Sequence, residues 1–206
     1  MSIFGKIVST IMLILGTAFL ANWANAIEQP KFEVVGQIGD VEIRKYPSQL
    51  VARTLVSGEF SEVSNQGFRV LAGYIFGGNV EEQKIAMTAP VSLKPDSATA
   101  LQPQYWVTFN MPEEYAREEL PEPDDSRVNI TEVPERYLAV LRYKGNWSEA
   151  RYRQHESALL SQLTQASAWQ TQGATSWARY NAPFTPWFMR TNEVAIEVVA
   201  KQQGTR

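Results

Sequence analysis

The segment Val41–Glu62 (VEIRKYPSQLVARTLVSGEFSE) lies over Val128–Glu149 (VNITEVPERYLAVLRYKGNWSE) without a gap. Seven positions are identical: Val41/Val128, Ile43/Ile130, Pro47/Pro134, Ala52/Ala139, Gly58/Gly145, Ser61/Ser148 and Glu62/Glu149, and Phe60 opposite Trp147 adds an aromatic match. The matches fall on turn and core residue types, so the chain is read as an internal duplication. A repeat constrains the fold more than any single motif, because whatever one copy forms the other should form as well. Ala89-Pro90-Val91 and Ala182-Pro183-Phe184 extend the correspondence, with six extra residues in the second copy.

Within each copy the hydrophobic period changes in the same order. A short alternating run (Val41 to Arg44, or Val128 to Thr131) leads through a proline into a longer one, Leu50–Val56 or Tyr137–Tyr143, and period two predicts strands. Helical spacing follows at Val63, Phe68, Leu71, Tyr74 and Ile75, stopped by Gly77-Gly78, and again at Trp147, Ala150, Ala158, Leu159, Leu163 and Ala166. Asn146 with Glu149 has the form of a capping box. Lys84–Leu93 and Tyr105–Met111 then close the first copy as strands, and Trp177–Tyr180 and Val194–Val199 the second. Pro112–Arg127, rich in Pro, Asp and Glu, reads as the exposed connection. Each half, about 41–112 and 128–200, has strands with one apolar face and a single helix to cover it. The halves are therefore expected to pair into one closed or nearly closed sheet, forming a single pseudo-two-fold α+β domain over 27–206.

The N-terminus is read as an address and not as part of that domain. A cationic start ending at Lys6, an apolar stretch Ile7–Ala21 and the triplet Ala24-Asn25-Ala26 form a secretory signal with cleavage after Ala26, which leaves 180 of the 206 residues. The apolar stretch is interrupted by Ser9, Thr10, Gly16 and Thr17, short of a spanning helix, so no stable membrane insertion is expected after cleavage. A periplasmic location fits this pattern. The absence of cysteine and the single histidine exclude disulfide frameworks, thiol nucleophiles and multi-histidine metal sites. With 19 basic against 22 acidic residues, no nucleic-acid surface is expected.

The strings Gly67–Asn79 (GFRVLAGYIFGGN) and Lys84–Val91 (KIAMTAPV) carry a resemblance to the SOUL heme-binding protein family. It extends through Glu33–Tyr46, Phe109–Pro112, Leu120–Pro123, Tyr180–Phe184 and Arg190–Val194, nearly all of the chain beyond the signal. The resemblance implies a distorted β-barrel flanked by two helices and binding of heme or a related tetrapyrrole, largely by apolar contact and without turnover. With the secretory signal, the function expected is reversible, non-catalytic tetrapyrrole binding outside the cytoplasm, as a carrier or buffer. It also associates the late loop with the tetrapyrrole pocket.

That loop is Tyr180–Arg190 (YNAPFTPWFMR), where two prolines disfavour a central strand and four aromatics need burial or a ligand. A porphyrin is a flat apolar plate with two carboxylates. Tyr180, Phe184, Trp187 and Phe188 offer faces for it, and Arg179 and Arg190 offer cations. His155 is the one imidazole that can reach for heme iron, but its helical spacing to Ala158 and Leu159 favours a packing role; Met87 is read as core filling. No Gly-x-Ser-x-Gly, phosphate loop or His-Glu-x-x-His is present, and no enzyme activity is expected. The readings kept beside this one are a small-molecule module of the regulator effector-domain type, an enzyme acting on the same ligand, and a protein-interaction scaffold.

Overall fold

The computed structural model describes residues 27–96, 102–164 and 168–201, so the expected signal, residues 1–26, lies outside the described residues. The chain runs β1 (Glu33–Ile38), β2 (Val41–Tyr46), β3 (Gln49–Ser57), α1 (Phe60–Ile75), β4 (Val91–Pro95), β5 (Gln104–Asn110), β6 (Asn129–Val133), β7 (Arg136–Lys144), α2 (Glu149–Thr164), β8 (Trp169–Arg179) and β9 (Thr191–Ala200). Among the described residues, these nine strands form one antiparallel sheet in the order β1-β2-β7-β9-β8-β4-β5-β3-β6. Exchanging β2 with β6, β3 with β7, β4 with β8 and β5 with β9 reverses the order of those eight strands. The fold of the described residues is thus α+β, with a large antiparallel sheet and two α-helices.

Alternation along the strands sorts the residues between two faces. Val41, Ile43, Ala52, Val107, Ala139 and Val194 are all completely buried in one core with the helices. Phe60, Leu71 and Ile75 of α1 and Tyr152, Leu159 and Leu163 of α2 fill the other side of that core. Gly58 and Gly145 hold φ of 139° and 130° where β3 and β7 turn toward their helices, a region that L side chains rarely adopt. At Gly67 the reason for glycine is proximity: a Cβ there would stand 2.4 Å from Val107 Cγ2, so α1 lies directly against β5.

The structure departs from the sequence reading in several places. The sheet is not closed, because β1, which lies outside the repeated segment, takes the free edge of β2, while β6 ends the other side. Lys84–Thr88 is not a strand: Ile85 N–H donates to Ile75 O (2.8 Å) and its side chain is buried, so this stretch crosses the end of α1 and β4 begins only at Val91. The cap of α2 is Ser148, whose Oγ accepts from Arg151 N–H (3.4 Å); the helix starts at Glu149, too late for Asn146 to cap it. The connection Pro112–Arg127 is only partly exposed. Leu120 is buried, and Pro121 O accepts from the Tyr74 hydroxyl at 2.9 Å, which fastens the segment over α1. β8 begins at Trp169, well before the expected Trp177, in a run of polar residues that carries no alternating signal.

Candidate functional site

Between β8 and β9 the chain leaves the sheet as the aromatic loop singled out in the sequence, containing a short 3-10 turn at Trp187–Met189. Phe184 is 89 % exposed, and Trp187, Phe188 and Met189 are each close to 60 % exposed, so four large apolar side chains stand in water along one short segment. Single exposed apolar residues are ordinary, but a contiguous group marks a contact surface. Trp187 and Phe188 meet edge to face at 5.8 Å.

The loop is held from beneath. Arg190 Nε donates to Thr185 O and its Nη2 to Pro183 O, both at 2.7 Å, while the guanidinium lies 4.2 Å from the centroid of Trp147. Thr191 N–H donates to Asn181 Oδ1 (2.6 Å), and Gly145 N–H to Arg190 O (3.3 Å), tying the loop to the turn before α2. Arg190 therefore shapes the loop backbone. Arg179 is committed elsewhere too: its Nε donates to the Tyr152 hydroxyl (2.8 Å), its Nη1 to Ser64 Oγ (2.9 Å), and it packs over Trp147 at 4.9 Å, between the sheet and the helices. Neither arginine stands free as a carboxylate clamp.

Tyr180 turns away from the other loop aromatics. Its hydroxyl donates to Glu193 Oε2 (2.6 Å) on the opposite face of the sheet, where Glu193 also accepts from Arg44 Nη1 (3.1 Å) and Arg142 Nε (2.8 Å). Burial first, then the Glu193 charge, pushes the Tyr180 hydroxyl well above its ordinary range, so it remains a donor. For Arg44, burial alone would favour loss of the proton, but Glu193 and the bonds to Tyr46 and Glu42 outweigh it and hold the guanidinium charged.

His155 lies on α2 with its ring stacked on Tyr143 at 3.7 Å between centroids. Its Nε2 is buried and has no hydrogen-bond partner, and burial followed by the nearby Arg151 charge lowers its pKa below the usual imidazole value. A neutral imidazole packed this way is a helix residue, and its Nε2 does not reach an open surface. Met87 is partly buried against the core.

Of the residues singled out in the sequence, the structure leaves Phe184, Trp187 and Phe188 exposed on one loop, with Trp187 and Phe188 in contact, and makes Arg190 the brace of that loop, but places Tyr180, Arg179 and His155 in other environments. Two participants were missed. Met189 sits in the same apolar string and was legible there. Trp147 was visible only as the partner of Phe60 in the repeat, and nothing in that match pointed to a seat for two arginines.

The geometry is thus an open antiparallel sheet with two helices on one face and an exposed aromatic loop at one end. The family model for SOUL heme-binding proteins matches residues 27–197, and the chain belongs to that family. Human Heme-binding protein 2 is 30 % identical over 190 residues, covering 89 % of this chain and 91 % of its own. Mouse Heme-binding protein 2 is 27 % identical over 186 residues, covering 84 % and 90 %. Among solved structures, the EcmrR C-terminal domain superposes with a TM-score of 0.58 at 10 % identity, covering 77 % of this chain and 96 % of that one. A hydrolase from Listeria innocua gives 0.54 at 12 %, covering 80 % and 94 %. At these identities the two structures speak to the fold alone.

Proposed function

We propose that this protein binds heme or a related tetrapyrrole reversibly, by laying the plate against the Phe184–Met189 loop, and that it does so outside the cytoplasm without turning the ligand over. The observation that carries the reading is the exposed aromatic loop inside the family-matched region: burying about 25 cal/mol per Å² of apolar surface, it gains most from a flat apolar partner. The grip is apolar. Arg179 and Arg190 are used by the fold, and the buried Nε2 of His155 argues against iron ligation from that residue. The names of the mammalian relatives support heme as the ligand, and the signal-like first 26 residues support export. The reversible strand order and the positive φ of both Gly58 and Gly145 support descent of the two halves from one unit.

Titration with hemin, followed in the Soret band, tests the reading. Micromolar binding is expected, with an unchanged spectrum in His155→Ala and at least a roughly tenfold loss of affinity in Trp187→Ser/Phe188→Ser, as for anchor residues of a contact surface. Absence of any Soret change at micromolar hemin overturns it.

A further inference from the structure

The face of the sheet turned away from the helices forms a cleft of about 430 Å³. Val51, Leu138, Val140, Ala178 and Ala195 give it an apolar floor, with Ser92, Thr108 and Ser176 among them. Of the loop aromatics only Tyr180 reaches it, so its lining is distinct from the loop surface.

Charge in this cleft is unevenly satisfied. In one corner Glu193 is matched by Arg44, Arg142 and Tyr180 and has no need of a further cation. The registers β7–β9–β8 and β3–β5–β4 relate that corner to a second one. Pairing Ala139 with Ile196 as Ala52 pairs with Phe109 puts Trp106 in the place of Glu193, Arg53 in that of Val140 and Lys94 in that of Ala178. Here the balance is reversed. Lys94 is the cross-strand partner of Trp106, and the Arg53 guanidinium lies 4.4 Å from the Trp106 ring centroid. Arg53 Nε is buried without an acceptor, and neither Arg53 nor Lys94 has an ion-pair partner among the described residues. Asp96 Oδ1 accepts from Trp106 Nε1 (3.2 Å), which fixes the indole between the two cations. A buried donor without an acceptor is costly, and the carboxylate of this corner, Asp96, is bonded to Trp106 and forms an ion pair with neither Arg53 nor Lys94, so both cations are left for an anion from outside.

We propose that the Arg53–Trp106–Lys94 corner is a second binding site, for a small planar apolar molecule carrying one anionic group. Arg53 and Lys94 hold the anion, and the flat body lies against Trp106 and the apolar floor; the volume suits a ligand of a few fused rings.

The test uses the indole N–H signals of ¹⁵N-labelled protein, with naphthalene-2-sulfonate as probe and 2-naphthylmethanol and 2-naphthylmethylammonium as its neutral and cationic counterparts. The sulfonate is expected to shift the Trp106 signal, the alcohol to bind at least about tenfold more weakly, and the ammonium not to bind there, since a charge-assisted hydrogen bond is lost in each case. Arg53→Gln/Lys94→Gln should weaken sulfonate binding about tenfold or more, while Trp187→Ser/Phe188→Ser leaves it unchanged. Equal binding of all three compounds to the unaltered protein, no Trp106 shift at millimolar sulfonate, or loss of the shift in the loop variant would each overturn the proposal. The comparison of the three compounds needs no substitution, so a misfolded variant cannot hide the answer.

Discussion

Replacing Glu193 by Gln should destabilise this protein far more than replacing Arg142, the exposed one of the two arginines that contact it. The Glu193 side chain is 4 % exposed and that of Arg44 1 %, whereas Arg142, bonded to the same carboxylate oxygen, is 53 % exposed. Losing one partner of a buried ion pair costs about 3–5 kcal/mol, because the remaining charge cannot return to water. Glu42 stays 2.7 Å from Arg44 Nε and is itself 40 % exposed, so part of the compensation survives, and the lower end, about 3 kcal/mol, is expected for Glu193→Gln. For a chain of this length that is a fall of roughly 6–12 °C in Tm, at about 2–4 °C per kcal/mol. Arg142→Gln breaks a pair that water already screens and should cost about 1 kcal/mol or less. Urea unfolding followed by far-UV circular dichroism measures both, provided the slope with denaturant is unchanged. Equal losses in the two variants would refute the reasoning, since burial of Arg44 would then not decide the outcome.

Two glycines on one helix give opposite expectations. Gly67→Ala drives a methyl into Val107 and should cost about 1–3 kcal/mol, whereas Gly73→Ala meets nothing within 4 Å and should gain about 0.5–1 kcal/mol, both readable from thermal unfolding. His155 has a folded-state pKa below its usual 6.5, so folding favours the neutral ring. Its contribution is fully present above pH 6.5 and is lost as pH falls below that toward the folded value. His155→Phe should therefore lose less stability than the unaltered chain between pH 7.5 and 5.5 in parallel denaturation curves. Arg190→Ala removes the two carbonyl contacts that shape the aromatic loop. It should weaken hemin binding while shifting Tm by only a few degrees, which titration and calorimetry together separate.

The parts legible in the sequence were those written in local periodicity. Both helices appear where Leu71, Ile75, Leu159 and Leu163 are spaced for them, and each of these four is buried. The aromatic loop was legible as well, because Pro183 and Pro186 interrupt a stretch too apolar to be ordinary surface. What escaped was set by contacts distant along the chain. Nothing near Arg44 announces a partner at Glu193, and Arg179 reads as a loop cation until Tyr152 and Ser64 are brought beside it. The open sheet was not legible for the same kind of reason: β1 precedes the segment Val41–Glu62 that lies over Val128–Glu149, and only its pairing reveals that it occupies the edge of β2. Ser148 and Asn146 stand two residues apart, and cap choice turned on where the first helical bond closes.

The exchange of edge strands also governs how such a chain must assemble. β2 bonds to β7 of the other half and β6 bonds back to β3, while β4 and β8 join the halves at the centre. Neither half holds a complete sheet by its own hydrogen bonds, so each pairing that completes one half waits for the other to have arrived. Folding then depends on closing loops of about a hundred residues, which places this fold with the slow, topologically complex class. Cut at the Pro112–Arg127 connection, each half would carry an exposed strand edge with a preference for a second copy of itself.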